Sequence, residues 1–416
     1  MHWFTGLFLF FLALATGLRL YLAQRQINSV SEHRDEVPKP FAEHIELEDH
    51  QKAADYSFAR VRLGMLDTVV DTMVLLGWTI AGGLSLALGF WGGLELSPVV
   101  AGTAASVSVF FIVSLLSLPL SAYSTFSIEA RFGFNRTTIG TYLGDLVKGW
   151  LLMILLGGPL IAAILWLMGQ AGPKWWLYAW VLWSSFTLLL TWAYPTFIAP
   201  IFNKFTPLAD DQLKQRIEQL MIRCGFRSKG IFIMDGSRRS SHGNAYFTGL
   251  GNNKRIVFFD TLINRLEAPE VEAVLAHELG HFRLNHVRKR ILLSLVLGLV
   301  GLALLGWLKL QPWFYSALGV TGTSDAAALL LFIFVLPVFT FVFTPLSSWL
   351  SRRHEFEADA YAVAQSDAAL LAIALVKLYR DNATTLTPDS LHSLFYDSHP
   401  PAPVRVARLQ QFGGNA

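Results

Sequence analysis

The sequence contains a short motif of residue types suited to metal chemistry, His277-Glu278-Leu279-Gly280-His281. Histidines four residues apart lie on one face of a helix, about one turn from each other, so both imidazoles can bind a single cation. Glu278 lies beside them, where it can take a proton from a water molecule at the metal. Taken alone, the five residues can also be interpreted as two surface histidines at the end of an amphipathic helix.

A third ligand must come from elsewhere, because a catalytic zinc site usually has three protein ligands and an open fourth position. A third histidine nearby would have to be residue 287, which is Val287, and we interpret His286 as a helix-end residue. Glu355 and Asp359 are better candidates, since residues four apart on a helix share one face. We expect Glu355 to coordinate the metal and Asp359 to hold a ligand imidazole. The alternative is a solvated acidic turn.

The composition indicates the class of protein that carries these residues. Of the 416 residues, 53% are hydrophobic and 15% are charged, and the mean hydropathy is +0.44. A soluble domain has about 25% charged residues, so this chain has too few charges to cover a surface that faces water. The net charge of +3 does not indicate a nucleic-acid partner. A single cysteine, Cys224, excludes an intrachain disulfide framework and a cysteine-rich metal cluster.

Seven windows are apolar over the roughly 20 residues that a helix needs to cross a bilayer. They cover residues 3–22, 68–94, 98–120, 149–170, 175–197, 291–310 and 326–350. The first is interpreted as an uncleaved anchor, because it lacks the preceding Lys or Arg of a signal peptide. The sequence therefore predicts a predominantly α-helical polytopic membrane protein with seven transmembrane helices.

The basic residues lie on one side of this predicted topology. Of 33 Lys and Arg residues, 31 lie on one side: 30 in the connectors that follow the first, third and fifth spans or in the segment after the seventh, and Arg19 near the end of the first span. The positive-inside rule makes that side cytoplasmic. It places the N-terminus outside, and it places the C-terminus and the access to the candidate site on the cytoplasmic side.

The largest connector has the pattern of a small α+β unit. Apolar residues between Leu213 and Cys224 repeat at helical spacing, and three short β-like runs follow at residues 231–234, 246–247 and 256–259. A second helix is predicted to begin at Pro269, since proline is favoured in the first turn of a helix. The histidine motif lies on this second helix.

The chain is accordingly divided into four predicted regions. The first is an N-terminal membrane region at 1–197, which contains spans 1–5 and the cytoplasmic loops 24–65 and 121–148. It is followed by a cytoplasmic α+β metalloprotease domain at 198–290 and by spans 6–7 at 291–350. The last is a C-terminal cytoplasmic segment at 351–416, which supplies the third ligand.

Several further motifs occur together with the histidine pair. They are Phe132-Gly133-Phe134-Asn135, the run SSHGNAYF at 240–247, Phe282 after the histidine motif, the run EFEADAYA at 355–362, and Ser398-His399-Pro400-Pro401 followed by Arg405. In this order they resemble the type I CAAX prenyl endopeptidase family, which consists of seven-span membrane zinc metalloproteases of the gluzincin type. The resemblance covers nearly the whole chain and implies spans arranged around a large water-filled chamber that the zinc faces.

The resemblance also implies roles for individual residues. His277, His281 and Glu355 would bind one zinc ion, with Asp359 supporting a ligand, and Glu278 would be the catalytic base.

Three further residues receive roles only through the resemblance. His399 would lie at the cleft and donate a hydrogen bond to the substrate or to the developing oxyanion. Asn244 would lie on the edge strand that pairs with the substrate backbone, and Arg405 would hold the C-terminal segment near the site. Without the resemblance, His399 is a loop histidine and Arg405 a solvated helix residue.

The predicted activity is hydrolysis of a peptide bond near the C-terminus of a peptide or protein substrate. Members of the family cleave the last three residues from C-terminally prenylated substrates. The chain ends without the dilysine signal of some eukaryotic members, which favours the bacterial inner membrane over the endoplasmic reticulum membrane. Because prenylated CAAX proteins are not expected in bacteria, quality control of misfolded membrane proteins, without prenylation, is the alternative.

The alternative from another class is a seven-span transporter or receptor. It predicts charged or broken residues inside several spans, and it leaves the histidine motif unexplained. We expect a monomer that contacts membrane lipids and has no nucleic-acid partner.

Overall fold

The computed structural model describes residues 2–226, 230–248 and 255–413, and these residues are mostly helical. The helices are α1 (Trp3–Glu32), α2 (Leu47–Trp78), α3 (Gly83–Gly92), α4 (Pro98–Tyr123), α5 (Ile139–Leu152), α6 (Gly158–Gln170), α7 (Trp175–Ala193), α8 (Ala199–Phe202), α9 (Asp211–Arg223), α10 (Asp260–Ile263), α11 (Ala268–Arg283), α12 (His286–Leu308), α13 (Pro312–Ser316), α14 (Asp325–Thr340), α15 (Thr344–Gln365), α16 (Ala368–Asp381), α17 (Ser390–Tyr396) and α18 (Ala402–Gly413). The strands are β1 (Phe205–Pro207), β2 (Ile231–Met234), β3 (Ala245–Thr248) and β4 (Arg255–Phe259).

Within the described ranges, six helical segments are long and apolar enough to cross a membrane. They are Trp3–Glu32, Pro98–Glu129, Ile139–Gln170, Gly172–Phe202, His286–Leu308 and Asp325–Gln365. Helices α2 and α3 make a seventh if the pair, bent by 48°, is counted as one span. Each predicted window overlaps one of these segments, and the predicted fold class is confirmed.

The second window, 68–94, is not one straight helix. Helix α2 ends at Trp78 and α3 begins at Gly83, after Gly82 in the left-handed conformation with φ of 83°. The segment before α14 packs against this break, and a Cβ atom on Gly319 would lie 2.4 Å from the carbonyl oxygen of Thr79. Apolar composition alone does not reveal such a break, because both sides of it are hydrophobic.

The polar loop predicted at 24–65 is mostly helical, because α1 and α2 both extend into it. The extension of α2 connects the membrane region to the α+β unit through Glu129, which ends a π-helical turn at Ser124–Glu129. The hydroxyl of Tyr56 donates to Glu129 at 2.6 Å, and Nε2 of His242 lies 3.5 Å from the same carboxylate. His242 directly precedes the segment that leads into β3.

The α+β unit contains a four-stranded sheet in the order β1-β2-β4-β3. Strands β2 and β4 are parallel, and the two outer strands are antiparallel to their neighbours. The three predicted β-like runs form β2, β3 and β4, whereas β1 was not expected, since a three-residue strand that includes Pro207 carries little sequence signal. Strand β3 lies at an edge of the sheet.

The core of the α+β unit extends beyond residues 198–290. Apolar side chains of α9 and α11 pack with Ala362 of α15, Leu375 of α16 and Leu409 of α18, all of them buried. The C-terminal segment therefore completes this core as well as providing a candidate ligand. The four-region division remains a prediction.

Candidate metal centre

Helix α11 positions three of the candidate residues on a buried, well-capped helix. Its N-terminus has a capping box in which Glu267 and Glu270 each bond the other's backbone, and Pro269 lies in the first turn as predicted. Most residues of the helix are buried, His277 among them. Packing on all sides fixes the direction in which the motif side chains point.

Gly280 lets α15 approach α11 closely. A Cβ atom at this position would lie 3.1 Å from both the Cα and the carbonyl oxygen of Ala358. The glycine inside the histidine motif therefore has a packing reason that outweighs its cost in helix propensity. The close crossing brings Glu355 and Asp359, one helical turn apart on α15, against the two histidines of α11.

Three side chains meet at this crossing with donor atoms at nearly equal separations. Nε2 of His277 lies 3.2 Å from Nε2 of His281. Oε1 of Glu355 lies 3.2 Å from Nε2 of His281, and Oε2 of Glu355 lies 3.4 Å from Nε2 of His277. Ligand atoms about 2.0–2.1 Å from a tetrahedral zinc ion lie roughly 3.3 Å from one another. The spacing fits one such ion.

The chemistry of the donors supports the same fit. The site is largely buried, and Oε2 of Glu355 has no hydrogen-bond donor among the described residues. A buried carboxylate oxygen left in that state is costly unless a cation or a further donor satisfies it. Two imidazoles and one carboxylate form a typical ligand set of catalytic zinc sites.

Asp359 and Arg405 surround the far side of His277. Oδ1 of Asp359 lies 2.9 Å from Nδ1 of His277, so the ring nitrogen that faces away from the metal side has a carboxylate partner. Arg405, on α18, donates two hydrogen bonds to Asp359, at 2.8 Å and 2.7 Å, and is itself buried. Its guanidinium is thus directed at Asp359, and Nη2 lies 3.1 Å from Nδ1 and 3.3 Å from Nε2 of His277.

A cavity of about 110 Å³ is lined by five of the eight candidate residues. Its lining includes His277, Glu278, Arg405, His399 and Asn244, together with the apolar residues Leu262, Val274, Leu371, Leu375 and Leu378. Nε2 of His399 lies 3.6 Å from Oε2 of Glu355, while 65% of its side chain is exposed. The structure therefore places these five cavity-lining candidates beside the two imidazole nitrogens and two carboxylate oxygens of the candidate metal site.

Comparison with known proteins gives the family of the chain. A model described as CAAX prenyl protease N-terminal, five membrane helices, matches residues 26–204, and one for peptidase family M48 matches residues 207–412. The CAAX prenyl protease 1 of Saccharomyces cerevisiae is 33% identical over 94% of this chain and 91% of its own length. The CAAX prenyl protease 1 homolog of Oryza sativa subsp. japonica is 35% identical over 90% of both chains.

The chain belongs to the type I CAAX prenyl protease family. The solved structure of S. mikatae Ste24p agrees, with a TM-score of 0.91 and 31% identity over 98% of this chain and 99% of the other. As a member of this family, the chain is a multi-pass integral membrane metalloprotease that acts on peptide or protein substrates.

In this protein the side chain of Glu278 has a different environment from that of a solvent-exposed glutamate. Burial raises the pKa of Glu278, while the nearby His277 and His281 oppose the rise. A carboxylate whose proton affinity is increased can accept a proton from water and hold it until it is passed on. The position and the environment of Glu278 both suit a general base.

Asn244 lies at the start of the edge strand. Its backbone carbonyl accepts a hydrogen bond from the backbone N–H of Phe259 at 3.0 Å, and β3 begins at the next residue. Among the residues that the structure describes, β3 pairs with β4 alone, so its other edge can accept an added strand. The geometry is compatible with the role that the family resemblance implies for Asn244.

One residue at the site was not recognised from the sequence. His286 is the first residue of α12, as expected for a helix-end residue, but it is 1% exposed and its Nδ1 lies 3.0 Å from Nδ1 of His281. Its spacing of five residues from His281 matches no metal-ligand pattern. Only the turn at Asn285, which has a left-handed φ of 60°, folds His286 back onto the motif.

Proposed function

We propose that this protein is a zinc endopeptidase that cleaves near the C-terminus of prenylated proteins. The observation that carries the proposal is the set of two imidazole nitrogens and two carboxylate oxygens at 3.2–3.4 Å, with Glu278 and His399 lining the adjoining cavity. His277, His281 and Glu355 would hold the ion. Zinc in such a site polarises the scissile carbonyl and lowers the pKa of the attacking water.

The protein's own side chains then move the protons and position the substrate. Glu278 takes the proton from the attacking water and passes it to the leaving amine, which needs a group that can hold a proton between the two steps. His399 donates a hydrogen bond to the oxygen on which negative charge develops, a contribution typically worth about 3 kcal/mol per donor. The substrate backbone lies along β3 from Asn244, and Asp359 with Arg405 keeps His277 in place.

The size and lining of the cavity support a particular placement of the substrate. Its apolar wall, formed in part by Leu371, Leu375 and Leu378, suits an aliphatic side chain next to the scissile bond. At about 110 Å³ it is smaller than the 300–1,000 Å³ of pockets that hold drug-sized ligands. A prenyl chain must therefore lie outside it. Prenylation of the substrate is proposed because the similar proteins are named CAAX prenyl proteases.

The proposed orientation follows from the charges. Since 31 of 33 basic residues lie in the connectors, or at the adjoining end of the first span, on one side of the seven-span topology, we place that side, and access to the site, in the cytoplasm.

The decisive experiment combines zinc analysis of the purified full chain with cleavage of matched prenylated and unprenylated peptides. Wild-type protein is expected to bind one zinc ion and to cleave the prenylated peptide. Glu278→Gln is expected to keep the zinc and lose cleavage, whereas Glu218→Gln, an exposed site on α9, changes neither.

Each part of the proposal can fail separately. Undiminished cleavage by the Glu278→Gln variant with zinc still bound would overturn the assignment of the base. Equal cleavage of both peptides would remove the prenyl preference and leave the protease.

A further inference from the structure

A series of hydrogen-bonded side chains leads from the proposed ligand His281 through the buried His286 to the partly exposed Glu357. Nδ1 of His281 lies 3.0 Å from Nδ1 of His286, and Nε2 of His286 lies 3.0 Å from Oε2 of Glu357. The two imidazole rings are nearly perpendicular, at 72°. His286 is 1% exposed, so bulk water does not satisfy these ring nitrogens in place of the side chains.

The positions of the protons on His281 and His286 follow from which nitrogen of His281 faces the proposed metal. Nε2 of His281 faces His277 and Glu355, both at 3.2 Å, and is the atom available to a metal. A neutral imidazole that binds a metal through one nitrogen carries its proton on the other, so Nδ1 of His281 is the donor. Nδ1 of His286 must then be the acceptor, which leaves its own proton on Nε2, directed at Glu357.

At the outer end of this hydrogen-bonded series, the charge of Arg353 fixes the orientation of Glu357. Nε of Arg353 donates to Oε1 of Glu357 at 3.0 Å, which leaves Oε2 for His286. The carboxylate therefore accepts from two directions, and its negative charge favours the proton on Nε2 of His286. Both ends of the chain thus select the same tautomer of His286.

The geometry fits this hydrogen-bonded series better than it fits a separate cation site at His286. Donor atoms of His286, His354 and Glu357 lie within 4.8 Å of one another. However, the rings of His286 and His354 are stacked, with centroids 4.1 Å apart and planes at 10°. The lone pairs of stacked rings lie in two nearly parallel planes, so one ion cannot lie in the plane of both rings. His354 instead supports the face of His286.

We propose that His286 and Glu357 are positioning residues that fix the tautomer and ring direction of the metal ligand His281. Metal-binding histidines commonly donate their second N–H to a partner that orients the ring and increases its basicity. His277 has such a partner in Asp359. The corresponding partner of His281 is the imidazole of His286, whose own N–H is accepted by the carboxylate of Glu357. The inference rests on the proposed metal site, although its test does not depend on peptide cleavage.

The test is the zinc affinity of the purified full chain, measured by competition with a chelator. His286→Phe removes the acceptor for His281 and keeps a flat ring against His354, and it is expected to weaken zinc binding about 10–100-fold. Glu357→Ala leaves the ring in place and is expected to weaken binding less. His354→Phe preserves the stacking and lies outside the hydrogen-bonded chain, so it is expected to bind zinc like the wild type.

A spectroscopic measurement distinguishes positioning from general packing. In the cobalt-substituted protein, His286→Phe is expected to shift the visible absorption bands, and His354→Phe is not. Wild-type zinc affinity in both His286→Phe and Glu357→Ala would overturn the proposal, and so would an equal loss of affinity in His354→Phe. A wild-type protein that binds zinc but cleaves no peptide would refute the proposed function without affecting these comparisons.

Discussion

Arg405 and Asp359 form a buried pair in which the guanidinium donates two hydrogen bonds, at 2.8 Å and 2.7 Å, to the two carboxylate oxygens. The same carboxylate lies 2.9 Å from Nδ1 of His277. Asp359 is 1% exposed and Arg405 is 5% exposed. One carboxylate therefore both orients His277, a proposed metal ligand, and neutralises a charge supplied by helix α18.

Replacing Asp359 is expected to affect stability and metal binding by separable routes. Asp359→Ala leaves Arg405 buried without its main partner, which typically costs about 3–5 kcal/mol, and it lowers zinc affinity about 10–100-fold. The double variant Asp359→Ala/Arg405→Met removes the uncompensated charge. It is expected to recover most of the stability but not the zinc affinity.

These effects are measured by thermal unfolding in detergent and by chelator competition. Full recovery of zinc affinity in the double variant would contradict a role for Asp359 in holding His277.

Removal of the metal is expected to abolish activity reversibly. Glu355 has one buried oxygen with no hydrogen-bond donor among the described residues, so removal of a bound ion would leave that oxygen without a partner. Treatment with a strong chelator should stop peptide cleavage, and added Zn²⁺ should restore it. Glu355→Gln should not recover with zinc, because the amide lacks the negative charge that the ion requires. Retention of stoichiometric zinc by this variant would exclude Glu355 as a ligand.

The sequence was sufficient to predict the parts of the site that depend on local spacing. His277 and His281 share a helical face because they are four residues apart, and the same spacing relates Glu355 to Asp359. The apolar windows and the β-like runs were likewise local patterns.

Features that depend on tertiary contacts were not predictable in this way. The break between α2 and α3 is stabilised by packing of Gly319 against Thr79, from a segment about 240 residues away. The contact of His286 with His281 depends on the left-handed turn at Asn285. The residues of α18 that complete the core of the α+β unit could not be identified from periodicity, which indicates a buried face but not its partner.

The crossing of α11 and α15 is expected to tolerate no side chain at Gly280. In Gly280→Ala the added Cβ would lie 3.1 Å from the backbone of Ala358, so the two helices must separate by a few tenths of an ångström or more. Since Glu355 and the histidines lie on opposite sides of this crossing, we expect weaker zinc binding and reduced activity. Gly64→Ala in α2 is the matched control, because nothing lies within 4 Å of a Cβ there.

The control should be neutral or slightly stabilising, because alanine is favoured over glycine inside a helix by about 0.5–1 kcal/mol. Zinc affinity and thermal stability are measured for both variants. Wild-type zinc affinity in Gly280→Ala would show that the distance between the two helices does not control the ligand geometry.

His399 is expected to contribute to the rate of cleavage and little to metal binding or stability. Its side chain is 65% exposed, its Nε2 lies 3.6 Å from Oε2 of Glu355, and it lines the same cavity as Glu278. His399→Ala should lower kcat about 10²–10³-fold, the usual effect of removing one donor to a developing oxyanion. His44→Ala, at an exposed position near the end of the first connector, is the control. A change in KM with unchanged kcat would instead assign His399 to substrate binding.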